Sequence, residues 1–400
     1  MWRDLVRLDG GDNARRRLGA LALVALLAVV IAWTSTGDLP VGDAIERARG
    51  GDPASGDAGV PEATTTTAPP VPPPSNVPMT PLRSGEQPPQ FVLFSFDGGG
   101  WHERWQEFMA AAAPHDARFT GFLTGIYLLA DDNRSAYAGP GHSPGRASVG
   151  FGGTVDEVQR LVDDLNQAWL AGHEIGTHYN GHFCDGDDPS ANDWGAADWD
   201  SEIAQFGSFW QNWAAHNAIA APRPLLPPLD EVRGGRTPCL EGSWDQLAVA
   251  WANAGYRYDT SMVGRGMAWP RLEHGVWEFR MPTVASPTMG NVIAMDYNFW
   301  VRLNGGEAEP GRAPEFRRRV LDTYRHMYDA AFATTRAPLV IGNHFNEWSG
   351  NAFNPAVLDF MDEVCGRPET YCATYSDVIA WMELQDPAVL AELQSRPPVV

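Results

Sequence analysis

The sequence predicts an α/β fold with a mainly parallel sheet, open or closed into a barrel, over residues 90–390. Three observations predict it. Short apolar runs of strand length alternate with stretches of helical periodicity through this region. Several helical stretches begin with a capping signal and end at glycine. The polar residues that could do chemistry follow apolar runs, at the carboxyl ends of the predicted strands, where both open sheets and barrels place their active sites.

Four elements are predicted in the first part of this region. The run 91–96 is apolar and leads into Asp-Gly-Gly-Gly, which is typical of a buried strand that ends in a loop. Thr154 and Glu157 form a capping box, and Gly172 ends the helix that follows them. In order, the elements are a strand at 91–96, a strand at 118–129, an amphipathic helix at 154–171 and a strand at 173–178.

The rest of the region continues the alternation. Ser243 with Gln246 begins one helix and Gly255 ends it. In order, the predicted elements are a Trp-rich helix around 199–213, a helix at 243–254, a strand at 256–261, a strand-like segment at 291–300, a helix at 313–334, a strand at 339–344 and a last helix from about Ser376.

The first 89 residues differ from this region in composition. Residues 1–17 carry five Arg against three Asp, and residues 18–33 are apolar and uncharged. Because cytoplasmic flanks of membrane spans are rich in Arg, we expect a cytoplasmic segment at 1–17, a transmembrane anchor or signal segment at 18–33, and the rest of the chain outside the cytoplasm. Residues 34–89 are rich in Pro and Thr, which predicts a disordered linker. The expected location is the cell membrane, with a single pass, or the exterior if 18–33 is cleaved.

The charge of the chain excludes several functions. Its formal net charge is −21, and all 29 basic residues are Arg. A strongly acidic chain is not expected to bind nucleic acid, because phosphate binding needs a basic surface. The absence of Lys excludes a Schiff-base lysine and a Walker A loop.

All four cysteines, Cys184, Cys239, Cys365 and Cys372, follow the predicted linker. An even number of cysteines outside the cytoplasm predicts disulfides. Cys365 and Cys372 are close in sequence and make one candidate pair, which leaves Cys184 with Cys239. A zinc–thiolate site is the alternative, although the chain has no C-x-x-C spacing.

Two histidines lie at the end of the predicted strand at 173–178 and just after it. His178 and His182 are four residues apart, which is a common spacing of metal ligands. Four more polar residues complete a set with the chemistry that metal-assisted hydrolysis needs. They are Asp97, Arg236, Asp259 and His344.

These residues lie in motifs that resemble those of the polysaccharide deacetylases of the NodB-homology type, carbohydrate esterase family 4. The matching segments, in the family's order, are 95–99 (SFDGG), 172–182 (GHEIGTHYNGH), 236–238 (RTP), 258–261 (YDTS) and 339–344 (LVIGNH). The resemblance covers residues 90–385 or so. It implies a distorted (β/α) barrel that removes acetyl groups from chitin-like chains, peptidoglycan or xylan.

The resemblance also implies roles in proton transfer. Asp97 resembles the family's general base, and Arg236 would keep it ionised and oriented. His344 resembles the general acid that protonates the leaving group, and Asp259 would raise its pKa.

A divalent metal, usually zinc, is implied at His178 and His182. The family's first motif has a second aspartate that also binds the metal, and this chain has Gly98 at that position. Asp296 and Asp185 are the candidates for a substitute ligand. In another interpretation the general base binds the metal itself and no base is left.

Two tryptophans are candidates for substrate contact. Trp101 follows the Gly-rich loop and Trp348 comes four residues after His344. Indole rings stack on sugars, but packing around the mouth of the barrel is the alternative. The expected function is a surface-anchored, metal-dependent deacetylase that acts on an acetylated polysaccharide of the cell envelope or the environment. The alternatives are a carbohydrate-binding pseudoenzyme, which Gly98 favours, and a hydrolase of a small amide on the same fold.

Overall fold

The computed structural model describes residues 70–400. The expected cytoplasmic segment 1–17, the expected span 18–33 and the linker up to residue 69 lie outside the described residues. Within residues 70–400, no helix combines the length and the apolar composition that crossing a membrane requires.

A mainly parallel sheet forms the centre of the domain. In chain order, the strands of residues 70–400 are β1 (Gln90–Gly98), β2 (Thr120–Leu123), β3 (Glu174–Thr177), β4 (Gly234–Gly235), β5 (Tyr258–Asp259), β6 (Val263–Arg265), β7 (Arg271–Glu273), β8 (Val276–Glu278), β9 (Met281–Ser286), β10 (Gly290–Ile293), β11 (Leu339–His344) and β12 (Thr370–Cys372). Nine of them form one sheet in the order β11-β1-β2-β3-β4-β5-β8-β7, with β12 beside the start of β1. Only β7 and β8 are antiparallel within it. The predicted α/β fold with a mainly parallel sheet is confirmed.

Strand β1 pairs with three other strands, which explains why its sequence is apolar on both faces. Its side chains at 91–94 and at Phe96 are at most 1% exposed. The strand ends in Gly98, which has a φ of +90° and turns the chain out of the sheet.

A second, smaller sheet joins β6, β9 and β10. Strands β9 and β10 form an antiparallel hairpin, and β6 pairs parallel to β9. An isolated parallel bridge between Met295 and Gly342 connects the segment after this hairpin to β11. The hairpin was not predicted, and it decides where the residues that follow it lie.

Helices pack around the two sheets. In chain order they are α1 (His102–Ala112), α2 (Val155–Leu170), α3 (Ala196–His216), α4 (Trp244–Ala254), α5 (Asp296–Asn304), α6 (Ala313–Ala333), α7 (Trp348–Asn351), α8 (Asn354–Val364), α9 (Tyr375–Glu383) and α10 (Pro387–Ser395). The predicted capping box at Thr154 and Glu157 is present, and Gly255 ends α4 in a left-handed conformation. The apolar side chains of α2 are buried at helical spacing, including Val158, Val162 and Leu165.

The predicted strand at 118–129 is much shorter in the structure. Only Thr120–Leu123 pair as β2, and a 3-10 turn follows at Gly125–Leu128. The chain leaves the sheet there because the Gly125 N–H donates to the Tyr179 carbonyl, at 2.7 Å, in the loop after β3. Ile126 and Leu128 are buried in this turn, which packs against helices α2 and α3 rather than in the sheet.

The strand-like segment at 291–300 is half strand and half helix. Strand β10 covers its beginning, and α5 starts at Asp296. Asp296 and Phe299 are both buried at a spacing of three residues, which fits one face of a helix. The pattern of apolar residues over such a short segment does not distinguish a strand from a helix.

Residues 74–77, which the sequence places in the linker, lie against the domain near the amino ends of β1 and β2. Asn76 Nδ2 donates to the carbonyls of Asp116, at 2.6 Å, and Cys372, at 2.9 Å. Arg118, two residues before β2, donates to the carbonyl of Pro74. Val77 is only 3% exposed. This part of the Pro-rich stretch is therefore held by hydrogen bonds and burial.

Candidate active site

Asp97 and His344 lie side by side at the carboxyl end of the sheet. They are register partners at the ends of β1 and β11, and His344 Nε2 is 3.9 Å from Asp97 Oδ2. Parallel pairing makes this neighbourhood a consequence of the two strands ending together. The two side chains thus lie next to each other at the same edge of the sheet.

Arg236 is completely buried and holds Asp97 in place. Its Nη1 donates to Asp97 Oδ1 at 2.8 Å. The remaining N–H groups donate to oxygens of Ser95, Thr260 and Tyr375 at 3.0–3.2 Å. A guanidinium with such fixed partners is a rigid positive charge in a region from which water is excluded.

The charge of Arg236 determines the protonation state of Asp97. Burial by itself would raise the pKa of Asp97, but Arg236, together with His178 and His344, lowers the pKa below its ordinary value. Asp97 is therefore a carboxylate at neutral pH. Its Oδ1 is used by Arg236, while its Oδ2 faces His344.

The two histidines after β3 present neutral imidazoles. His178 Nδ1 donates to the Arg236 carbonyl at 2.8 Å, which leaves the buried Nε2 with a lone pair and with no hydrogen-bond partner among the residues that the structure describes. Burial lowers the pKa of His178 to about 4 and that of His182 to about 3. The ring centroids are 5.3 Å apart. An orphaned imidazole nitrogen beside a second neutral imidazole suits a divalent metal such as zinc.

Within residues 70–400, no carboxylate groups with these two histidines as a possible set of metal ligands. A Cβ on Gly98 would lie 3.8 Å from the ring and the hydroxyl of Tyr127, so the place of the family's second aspartate adjoins a phenol. Asp185 is exposed, and within residues 70–400 it belongs to no cluster of possible ligands with His182. The one such cluster there joins His182 to two cysteines that are bonded to each other.

Asp296 has a different place from the one expected of a substitute ligand. It is fully buried, its Oδ1 accepts from His344 Nδ1 at 2.7 Å, and its Oδ2 accepts from the His344 N–H at 2.8 Å. Asn346 Nδ2 donates to Oδ2 at 2.7 Å, and the Tyr297 N–H donates to Oδ1 at 2.8 Å. Both oxygens are thus engaged in holding His344, so the expectation of a metal ligand here is corrected.

The role expected of Asp259, to raise the pKa of His344, is corrected as well. Its carboxylate accepts from the N–H and the hydroxyl of Ser261, each at 2.7 Å, and lies beside Glu278 in the neighbouring strand. Burial raises the pKa of Asp259 to about 6. The support that the resemblance assigns to Asp259 comes instead from Asp296, which accepts the Nδ1 hydrogen bond of His344.

Asp296 favours the protonated form of the His344 imidazole. Burial alone would lower the pKa of His344, but the carboxylates of Asp296 and Asp97 raise it to about 9. His344 is therefore an imidazolium at neutral pH, with its Nε2 proton directed towards the side of Asp97.

A cluster of aromatic rings stands beside His344. Trp348 lies 5.2 Å from the His344 ring, Trp300 is stacked on Trp348 at 5.0 Å, and Tyr297 packs edge-on against both indoles. All three aromatic side chains are partly exposed. We call these three residues the aromatic wall. Trp101 lies at the start of α1, and within residues 70–400 no ring contact joins it to the aromatic wall.

The structure contains the two disulfides that the sequence predicts. Cys184–Cys239 connects the loop after β3 to the loop after β4, so it ties the two histidines to the Arg236 segment. The Cys184 Sγ atom is 3.4 Å from His182 Nδ1. The other disulfide, Cys365–Cys372, lies near the amino end of the sheet, and we call it the remote disulfide.

Several functional residues were missed in the sequence. The partners of Arg236 that are hydroxyl groups, and two members of the aromatic wall, were not singled out. A usable signal existed for the wall: the segment DYNFW places an aspartate, a tyrosine and a tryptophan at helical spacing once α5 is recognised. No comparable signal exists for hydroxyl groups that meet Arg236 from distant strands and helices.

No protein-family model matches the sequence, and no curated protein was found to match it. Solved structures to which the chain is similar include a protein described as a polysaccharide deacetylase from Mycobacterium smegmatis, with 17% identity over 81% of this chain and 97% of that chain and a TM-score of 0.44. A family 4 carbohydrate esterase from Streptomyces lividans has 12% identity over 73% and 95% and a TM-score of 0.34. A family 4 pseudoenzyme from Bacillus anthracis has 11% identity over 78% and 70% and a TM-score of 0.33. All three TM-scores are below 0.5, so the function proposed below rests on the site of this chain.

Proposed function

We propose that this chain is a divergent, metal-dependent polysaccharide deacetylase, a hydrolase that removes acetyl groups from an acetylated glycan on a distorted (β/α) barrel. The observation that carries the proposal is the meeting of three units at the carboxyl end of the sheet. They are the ion pair Asp97–Arg236, the pair His344–Asp296 and the unpartnered Nε2 of His178. A base, an acid and a metal ligand are the parts that metal-assisted hydrolysis of an acyl group requires.

His178 and His182 would hold the divalent ion. When bound, zinc would supply Lewis-acid activation of the acetyl carbonyl and of water. The chain prepares for it by keeping both imidazoles neutral and by fixing the ring of His178 through its Nδ1 hydrogen bond to the Arg236 carbonyl.

Asp97 is the general base of this proposal. Its Oδ1 is held by Arg236, so Oδ2 is the oxygen that can take a proton from the attacking water. The guanidinium keeps the carboxylate ionised, and it also prevents rotation of the carboxyl group away from the substrate.

His344 is the general acid. Its imidazolium can give the Nε2 proton to the leaving nitrogen or oxygen as the bond to the acetyl carbon breaks. Asp296 accepts from Nδ1 and so fixes the ring while it stabilises the charge. Asp97 takes up one proton and His344 gives up one, so the total number of protons on these two residues is unchanged when acetate leaves.

The aromatic wall is the part of the site that suits a sugar. Trp348 is close enough to His344 for a ring stacked on it to present an acetyl group to the acid and the base. A neutral glycan fits the acidic chain better than an anionic polymer, because like charges repel at low salt.

The two disulfides support a place outside the cytoplasm, since such bonds persist in oxidising compartments. We propose a membrane-anchored protein with an extracytoplasmic catalytic domain, as the composition of residues 1–33 indicates. Cleavage of that segment would make the same domain a secreted protein.

A carbohydrate-binding pseudoenzyme is the second candidate. Gly98 favours it, because a site with two histidines and no carboxylate ligand binds divalent metals less tightly. The base, the acid and their partners are nevertheless complete, which is why we place hydrolysis first.

The test is acetate release by the full chain from acetylated chitin oligomers, peptidoglycan and xylan, each with added Zn²⁺. We expect release that a chelator and His178→Ala both abolish. The exposed His326 provides the matched control, since His326→Ala should leave the rate unchanged. Binding of these glycans without acetate release would support the pseudoenzyme, and release that survives both treatments would contradict metal dependence.

A further inference from the structure

The loop that carries the two histidines is held in an unusual backbone conformation. Tyr179 and His182 both have a φ of 55°, in the left-handed region that residues other than glycine rarely adopt. Such conformations persist when surrounding contacts determine them, and they concentrate at functional sites. Contacts with the rest of the domain must therefore hold this loop.

A buried carboxylate on α3, Glu202, holds the middle of this loop, between Tyr179 and His182. The N–H groups of Asn180 and Gly181 both donate to Glu202 Oε1, at 2.9 and 3.0 Å. Successive backbone N–H groups that converge in this way form a concavity for an anion. The Asn180 side chain adds a hydrogen bond from its Nδ2 to the Glu202 carbonyl at 2.7 Å.

Glu202 is a buried carboxyl group with few polar partners besides this loop. Its side chain is 0% exposed, and no salt bridge to it occurs within residues 70–400. The Tyr137 hydroxyl is a further donor, 3.2 Å from Glu202 Oε1 and 3.1 Å from Oε2. Burying a carboxylate without a cation is costly, so its hydrogen bonds must recover that cost.

We infer that Glu202 is a positioning residue, which fixes the loop between His178 and His182 so that their rings meet at the distance a shared metal needs. The inference rests on the proposed function. Without the carboxylate, the buried N–H groups of Asn180 and Gly181 lose their acceptor, and the backbone between Tyr179 and His182 loses the contact that fixes its course. The two imidazoles then no longer face one another in a fixed geometry.

The test measures metal affinity rather than turnover. The full chain and its variants compete with a chromophoric chelator for Zn²⁺, and thermal unfolding is recorded for each variant without metal. Glu202→Met removes both acceptors at nearly constant volume and should weaken Zn²⁺ binding by about 10–100-fold, as loss of an outer partner of a metal ligand does. Glu202→Gln keeps one neutral acceptor and should weaken it by about three- to tenfold.

Glu174 provides a matched control at the opposite end of β3. It is also a buried carboxyl group, and it accepts from the Thr120 hydroxyl at 3.1 Å and from the backbone N–H of Ser376 at 3.3 Å. Glu174→Gln should lower the unfolding temperature but leave Zn²⁺ affinity within about twofold, since distant sites act independently.

The outcomes separate this inference from the proposed function. Glu202→Gln with Zn²⁺ affinity within twofold of the parent overturns the inference, and so does an equal loss in Glu174→Gln. Glu202→Gln decides the matter if Glu202→Met does not fold. Zn²⁺ binding without acetate release contradicts the proposed function alone, whereas a parent chain that takes up no Zn²⁺ overturns both.

Discussion

Replacing Asp296 by asparagine should turn His344 from an acid into a neutral imidazole at physiological pH. Asp296 and Asp97 raise the pKa of His344 to about 9 from an ordinary value of 6.5. That difference corresponds to about 3 kcal/mol as an upper limit. Solvent screening reduces it, because the His344 side chain is 24% exposed. In Asp296→Asn we expect the pKa of His344 to fall to its ordinary value or below, because burial then dominates.

The pH dependence of acetate release follows from this change. At pH 7.5 a group with a pKa of 9 is about 97% protonated and one with a pKa of 6.5 about 10%, so kcat/KM should fall by about tenfold. Near pH 5.5 His344 is mostly protonated both in the parent and in Asp296→Asn. Any loss of kcat/KM that remains at this pH therefore measures the loss of positioning by Asp296. The alkaline limb of the parent should lie near pH 9, and that of Asp296→Asn at least about two units lower.

Stability gives a second readout that needs no activity. A histidine whose folded pKa is raised stabilises the protein fully below its unfolded pKa, and this stabilisation is lost as pH rises through the folded pKa. The difference in free energy of unfolding between the parent and Asp296→Asn should therefore be largest below about pH 6.5 and shrink towards pH 9. Asp259→Asn is the control, because its carboxylate bonds Ser261 and should leave the alkaline limb in place. An alkaline limb near pH 9 in Asp296→Asn, with a pH-independent stability difference, would refute the role of Asp296.

Three further predictions concern the metal and the substrate. Gly98→Asp restores an anionic ligand and should tighten Zn²⁺ binding in a chelator competition by more than about tenfold. The same change should cost about 1–3 kcal/mol in unfolding by urea, because the φ of Gly98 is +90°. Replacing Cys184 and Cys239 together by serine should weaken Zn²⁺ binding, since this disulfide adjoins His182, while the same change at the remote disulfide should lower only the unfolding temperature. Equal Zn²⁺ affinities in the two double variants would contradict that difference. Trp348→Ala should raise KM for an acetylated glycan by about two- to tenfold with little change in kcat, as expected for loss of a stacking contact. An unchanged KM would remove the aromatic wall from the substrate site.

The motifs that are local in sequence predicted most of the site. His178 and His182 are four residues apart, so their proximity hardly depends on the fold. Asp97 and His344 are far apart in sequence, but each ends an apolar run, and parallel strands that end together bring their last residues together. For these residues, the rule that chemistry lies at the carboxyl ends of strands was sufficient.

The carboxylate that bonds His344 could not be identified in the same way, because the sequence suggested Asp259 for this role and the structure has Asp296 there. Asp259 ends a strand, which is where an acid or its partner is expected. Asp296 begins a helix that follows an unpredicted hairpin, and the position of that helix depends on the bridge from Met295 to Gly342. Sequence patterns locate elements along the chain, whereas this role depends on how a second sheet packs against the first.

Glu202 shows a different limit. A glutamate inside a helix is most often exposed, and nothing in the composition of α3 marks this one as buried. Its partners are backbone N–H groups that become available only because Tyr179 is left-handed. A backbone conformation of this kind leaves no trace in the pattern of apolar residues.

The attachment of residues 74–77 has a consequence for the side from which the chain reaches the domain. Pro74 and Asn76 bind the domain just before β2 and at Cys372, which pairs with the start of β1, whereas Asp97 and His344 lie at the carboxyl end of the sheet. The described chain therefore joins the domain on the side opposite to Asp97 and His344. A tether attached before Pro74 would meet the domain about one strand length away from the proposed site.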